Sequence, residues 1–111
     1  MSTDALSKMQ VIQNNISLAG VKSIVVSANN QNVYAAAETV VYWTRDPNTG
    51  GLSNMQAVQK NTYLDGVTSV TVSSDNRNVY AVACNSNCVV CWDRDPNTGS
   101  LNNIQVIQYF S

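Results

Sequence analysis

The chain has 111 residues, six Lys or Arg against seven Asp or Glu, no His and three Cys; 44% of it is hydrophobic and only 12% charged. A single domain of this length buries roughly two-thirds of its unfolded surface, and a net charge of −1 gives no clustered cationic surface for nucleic acid. With no His, imidazole acid–base and metal-ligand chemistry is excluded, and no apolar run approaches the roughly 20 residues of a membrane-spanning helix.

Residues 1–5 read as an N-terminal tail. The start carries no basic-then-apolar leader, so a secreted form is expected to have lost one already. Residues 6–13 mix Leu6, Met9, Val11 and Ile12 with Ser7, Lys8, Gln10 and Gln13, which predicts a half-exposed outer strand. Asn15-Ile16-Ser17 matches a glycosylation sequon, meaningful only in a eukaryotic secretory route. Three further strands are predicted at 21–27, 32–37 and 40–45. Their cores, Ile24-Val25-Val26, Val33-Tyr34-Ala35-Ala36-Ala37 and Val40-Val41-Tyr42-Trp43, are continuously apolar. Successive strand side chains point to opposite faces, so both faces of such a sheet must be covered. Asn29-Asn30 sits where a tight hairpin needs positive φ, and the Asp-Pro-Asn-Thr-Gly run from Asp46 to Gly50 ends one strand and starts the next.

From Leu52 the pattern begins again. Leu52-Ser53-Asn54-Met55-Gln56 repeats Leu6-Ser7-Lys8-Met9-Gln10 at a spacing of 46 residues, and Asn78-Val79-Tyr80-Ala81 repeats Asn32-Val33-Tyr34-Ala35 at the same spacing. Beyond an insertion of three residues between Ala83 and Val89 the spacing becomes 49: Trp92 follows Trp43, and Arg94 to Gly99 follows Arg45 to Gly50. A third copy opens at Leu101 and stops soon after Gln108. The organisation is therefore a tail at 1–5, a first repeat at 6–51, a second at 52–100, and the outer strand of a third at 101–111. The expected fold is all-β: two four-stranded antiparallel propeller blades plus one extra outer strand.

The stretch from Val21 to Tyr34, and its copy from Val67 to Tyr80, resemble the strand–turn–strand signature of YVTN and lactonase-like β-propellers. The runs VVYWTRDPNTGGL and VVCWDRDPNTGSL resemble that family's third strand and its connection to the fourth. The family's Pro-Asp-Gly turn is replaced by Ala28-Asn29-Asn30 and Ser74-Asp75-Asn76, which keeps the turn but loses the Gly. The resemblance implies that DPNTG leads into the outermost strand of each blade, with Leu6, Leu52 and Leu101 opening three such strands. It also implies an incomplete ring, since propellers carry four to eight blades. Two blades alone expose two apolar sheet faces, more than a monomer usually tolerates. Head-to-tail association would cover them, as a ring or a filament; a stretch of a longer propeller is the alternative.

Val25, Tyr34, Val41 and Trp43, with Val72, Tyr80, Val90 and Trp92, are expected at faces where blades pack. Three outer strands serve two inner triplets, so either Leu6, Met9 and Val11 or Leu101, Ile104 and Val106 lie on a surplus strand that could be exchanged between copies. Cys84 and Cys88 flank 85–87 at a hairpin tip and are candidates for a disulfide, which would imply an oxidising, extracellular or cell-surface setting. Three reduced thiols, with Cys91 a small buried hydrophobe in place of Tyr42, is the other reading. The C-x3-C-x2-C spacing of Cys84, Cys88 and Cys91 matches an iron–sulfur loop, but strand alignment turns Cys88 and Cys91 to opposite faces, so no cluster is expected. Trp43 and Trp92 suit blade packing better than sugar stacking, and Asp46 and Asp95 are turn formers rather than calcium ligands. No catalytic residues, cofactor or metal are expected. The expected role is that of a non-enzymatic structural unit whose partner is itself, neither nucleic acid nor membrane, with a glycan-binding propeller as the alternative and a lactonase-like enzyme behind it.

Overall fold

In a computed structural model, residues 9–14, 18–59 and 64–108 are described, except for the side chain of Ser86. Leu6, the tail at 1–5, the sequon at 15–17 and residues 109–111 lie outside them. Two four-stranded antiparallel sheets make up the fold, each a meander of neighbouring strands. The first contains β1 (Ser23–Val26), β2 (Asn32–Ala36), β3 (Val40–Arg45) and β4 (Leu52–Ala57). The second contains β5 (Val67–Val72), β6 (Asn78–Ala83), β7 (Cys88–Arg94) and β8 (Leu101–Gln108). Each is a blade whose fourth strand comes from the start of the next sequence repeat. The sheets thus run 23–57 and 67–108, displaced from the repeat boundaries at 6–51 and 52–100.

The turns explain why the meander closes. Asn30 and Asn76 both take φ of 65°, the left-handed conformation that Asn tolerates better than most residues. The Ser27 hydroxyl donates to Asn29 at 2.6 Å and accepts from the backbone of Asn32 at 3.1 Å; Ser73 does the same with Asp75 and Asn78 at 2.6 and 3.1 Å. In the DPNTG turns the Asp46 carboxylate accepts from the amide of Asn48 at 2.8 Å, as Asp95 does from Asn97 at 2.8 Å. These side chains replace ladder partners that the backbone loses on leaving the sheet.

The main core lies between the blades. Tyr34, Ala36 and Val40 of the first meet Val70, Val79, Val90 and Trp92 of the second, with Leu64 and Val67 of the linking segment and first strand. Val25, Tyr42, Val72, Leu101 and Val106 pack at its margin. Fully burying a side chain of this size contributes about 1.5–3 kcal/mol. The opposite face of the first blade carries Val33, Ala35, Val41 and Trp43, covered by Ile12, Leu18 and Leu52. The opposite face of the second blade is open. Its cross-strand rows are Thr71–Tyr80–Cys91–Gln105 and Ser69–Val82–Val89–Ile107, and Tyr80, Val82, Val89 and Ile107 are 40%, 44%, 44% and 71% exposed.

The expected outer strand at 6–13 is not formed over its described part: residues 9–13 adopt no strand. Their slot along β3 is filled by β4, and no inner triplet remains for them to pair with. Met9 and Val11 are 88% and 69% exposed. Gln10 instead uses its side-chain amide as a substitute strand, donating to the carbonyl of Leu52 and accepting from its N–H, both at 3.1 Å. Leu101, Ile104 and Val106 lie on β8, paired with β7 of the same chain.

Candidate functional site at the blade junction

The described residues hold their densest set of buried polar side chains where the two blades meet. Tyr34 projects from β2 into the second blade, where its hydroxyl donates to the carbonyl of Gly99 at 2.6 Å and accepts from Nε of Arg94 at 2.8 Å. Arg94 ends β7 and is only 3% exposed. Its Nη1 donates to the carbonyl of Asn76 at 2.9 Å, and Nη2 to Oδ1 of Asn32 at 2.7 Å and of Asn29 at 3.5 Å. The guanidinium carbon lies 5.9 Å from the centre of the Tyr34 ring. A buried cation is costly unless its donors are satisfied; here neutral oxygens from both blades satisfy them. Burial pushes the Tyr34 hydroxyl above its usual 10.0, with the Arg94 charge and hydrogen bond pulling the other way.

Asn32 closes the junction. Its Nδ2 donates to the carbonyls of Trp43 at 3.1 Å and Thr98 at 3.4 Å. Asn29 adds a backbone donation to Oδ1 of Asn76 at 3.1 Å and a side-chain donation to the carbonyl of Pro96 at 3.2 Å. Gly99 is required where it stands. Its φ is +79°, and a Cβ there would lie 2.3 Å from Asn32 side-chain atoms.

The same parts exist a second time without closing. Asn78 donates to the carbonyl of Trp92 at 3.2 Å, as Asn32 does to Trp43. Arg45 donates through Nη1 to the carbonyl of Asn30 at 3.1 Å, as Arg94 does to Asn76. Tyr80 lies 40% exposed on the open face of the second blade, and Gly50 ends the turn that follows Arg45 in the first.

The residues anticipated from sequence divide accordingly. Tyr34, Val90 and Trp92, with Val25 and Val72 at the edge, pack between the blades. Val41 and Trp43 are buried on the other face of the first blade, and Tyr80 lies on the open face of the second. Trp43 and Trp92 are 5% and 3% exposed, so neither offers a ring to a sugar. Cys84 and Cys88 are not opposed. Cys88 pairs across the ladder with Ala83, because Cys84–Ser86 forms a 3-10 turn beyond the strand end, and all three cysteines are thiols. Cys88 is buried while Cys91 shares the open-face row with Tyr80, and no group of three or more His, Cys, Asp or Glu among the described residues is placed to hold a metal.

Sequence reasoning missed Arg94, Asn32 and Gly99. The signal was present, since Asn-Val-Tyr and Arg-Asp-Pro-Asn-Thr-Gly occur in both copies, but nothing in it says that one motif closes on the other across two sheets. It also missed a cleft of about 460 Å³ lined by Asn32, Tyr42, Thr44, Asn54, Gln56 and Thr98, among others. Its amides and hydroxyls suit a hydroxylated ligand. The indole Nε1 of Trp43, another lining residue, is buried without a partner among the described residues.

The sequence matches no known family and no curated protein. Solved structures do match. A putative 6-phosphogluconolactonase from Bacteroides fragilis superposes with a TM-score of 0.75 at 18% identity, over 96% of this chain and 31% of its own. The periplasmic gluconolactonase of Pseudomonas aeruginosa gives 0.65 at 19% identity, over 79% and 25%. A β-propeller domain from Myceliophteria thermophila gives 0.55 at 13% identity, over 80% and 29%. The fold is that of two consecutive β-propeller blades. The chain spans less than a third of the length of each of these three structures, and this degree of likeness defines the architecture alone.

Proposed function

We propose that this chain is a non-catalytic interaction unit, a pair of propeller blades that stacks head to tail with further copies into a ring or a filament. One observation carries the reading. The open face of the second blade displays the row containing Tyr80, the counterpart of the Tyr34 row that the first blade already buries against its neighbour. The face that would receive it, around Trp43 and Val41, is the counterpart of the Trp92 and Val90 face that receives the Tyr34 row. Each end of the pair is therefore the complement of the other. Such a heterologous contact propagates until it closes. Negative-stain micrographs test this directly: discs or fibres support it, and particles no larger than one chain refute it.

A second reading draws on two of the structural neighbours, which are named as gluconolactonases. Under it, an assembled ring would hydrolyse a lactone. Acidic residues at the junction face turns rather than a shared cavity, with Asp46, Asp75 and Asp95 each accepting from nearby backbone amides, which favours the non-catalytic reading. Hydrolysis of gluconolactones above the buffer rate would reverse that preference. The amide-lined cleft is the support for a glycan-binding role, and a glycan array that shows no binding removes it.

A further inference from the structure

The polar clamp inside the chain also specifies which residues join one copy to the next. Resting on the proposed head-to-tail association, we infer that Tyr80 of one copy inserts between Arg45 and the Gly50 carbonyl of the next. Its hydroxyl then donates to that carbonyl and accepts from the guanidinium, while Asp75 faces the same guanidinium.

Each half of the clamp is already built. Arg45 holds the pose of Arg94, anchored through Nη1 to the Asn30 carbonyl; among the described residues its Nε and Nη2 have no partner, where those of Arg94 bind Tyr34 and Asn32. The turn that sets Gly50 repeats the bonds of the turn that sets Gly99: Asp46 N–H to the Gly51 carbonyl at 2.8 Å and Gly50 N–H to Asp46 at 2.8 Å, against 2.9 and 2.7 Å for the Asp95 turn. Gly50 has the same left-handed φ, +77°, and a Cβ there would meet nothing closer than Arg45 at 3.7 Å. Among the described residues, nothing fills beside Gly50 the space that Asn32 fills beside Gly99.

Charge complementarity identifies the occupant. Where the internal junction places neutral Asn29 beside Arg94, the open face presents Asp75, whose carboxylate is held by Ser73 and the Arg77 amide as Asn29 is held by Ser27 and the Gln31 amide. The junction between copies therefore gains an acid opposite Arg45. It loses the donation Asn29 makes to Pro96, because a carboxylate has no proton to offer the Pro47 carbonyl. The described cover on the receiving face has its equivalent inside the existing junction. Ile12 and Leu18 are the counterparts, 46 residues earlier, of Val58 and Leu64, which lie inside the existing junction. Residues 9–11 correspond to 55–57 of β4, yet Gln10 ties that stretch to Leu52. The outer-strand position is left to β8 of the arriving copy.

The experiment uses two surface variants and light scattering. Arg45→Glu blocks the receiving face by opposing Asp75; Tyr80→Arg blocks the arriving face by opposing Arg45. Circular dichroism confirms that each retains its sheet content. Each variant alone is expected at the 12.0 kDa of one chain. An equimolar mixture is expected at twice that mass or more, since the unmodified pair of faces joins one copy of each variant and the introduced arginine and glutamate, opposite in charge, let the other pair extend it. Tyr80→Phe should weaken association about ten- to hundredfold, the range for a lost hydrogen bond to a charged group. If the unmodified chain associates and both variants do so equally well, the clamp is wrong while self-association stands. If the variants are monomeric and their mixture stays at 12.0 kDa, the pairing is not head to tail and the clamp is wrong. A folded, monomeric unmodified chain removes both the clamp and the reading beneath it.

Discussion

Gly50 and Gly99 occupy the same position in two nearly identical turns, with φ of +77° and +79°, so a Gly→Ala pair isolates what the junction adds. Forcing an alanine into the left-handed region costs about 1–2 kcal/mol, and both variants share that cost. At Gly99 the new methyl must also displace Asn32, since its ideal position is 2.3 Å from that side chain. Asn32 then releases Nη2 of Arg94 and the carbonyls of Trp43 and Thr98, and each buried polar group left unpaired costs about 1–3 kcal/mol. Gly99→Ala is therefore expected to destabilise by about 3–5 kcal/mol, a large part of the roughly 5–15 kcal/mol typical of a domain, against about 1–2 kcal/mol for Gly50→Ala. Urea denaturation on an Arg45→Glu background, which the proposed clamp predicts to be monomeric, reads the difference from the midpoints. Equal midpoints would show that the blades do not press together at Gly99, and the description of the junction would be wrong.

Arg94→Met leaves the Tyr34 hydroxyl, Asn32 and the Asn76 carbonyl without their donor; a loss of about 3 kcal/mol or more is expected in the same assay. Tyr34 titrates above 10.0 in the folded chain, so the stability it contributes is complete below the unfolded tyrosine value and declines as pH rises through the folded one. Midpoints measured between pH 8 and 12 should fall at the alkaline end, and Tyr34→Phe should flatten that limb. Asp75 lies lower than its usual 3.8, held first by the Ser73 hydroxyl and then by the Arg77 amide; its contribution is present above that value and is lost as pH falls through the folded one. Asp75→Asn, which restores the first copy's residue, should leave the midpoint at neutral pH unchanged and remove that acid dependence. Thiol labelling should modify exposed Cys84 in the native chain and buried Cys88 only after unfolding, with an intact mass unaffected by reductant; a reductant-dependent shift of two protons would show a bridge.

The strands were legible where composition and turn chemistry agreed. β3 runs from Val40 to Arg45, as its β-branched and aromatic run between two turns predicts, and the Asn30 and Asn76 turns carry the positive φ expected of them. Residues 9–13 were misread because their alternation resembles that of β4, and a strand forms only where a neighbouring edge is vacant. Two bulges were invisible for a related reason. Asn54 and Asn103 take φ of 56° and 55°, so that two residues of β4 or β8 oppose Trp43 or Trp92; this is a property of register, which only pairing reveals. The clamp depends on contacts between residues about 60 positions apart, such as Tyr34 with Arg94, and local patterning carries no information at that range. The duplication showed that each part occurs twice. Only the fold shows that one pair closes inside the chain and the other points outward.

Light scattering of the unmodified chain across a dilution series measures the deciding quantity. Copies joined end to end give a mass several times 12.0 kDa that falls on dilution or holds at a fixed ring value. A constant 12.0 kDa from a cooperatively folding chain would mean that the Tyr80 face is stable in water and that no second copy covers it.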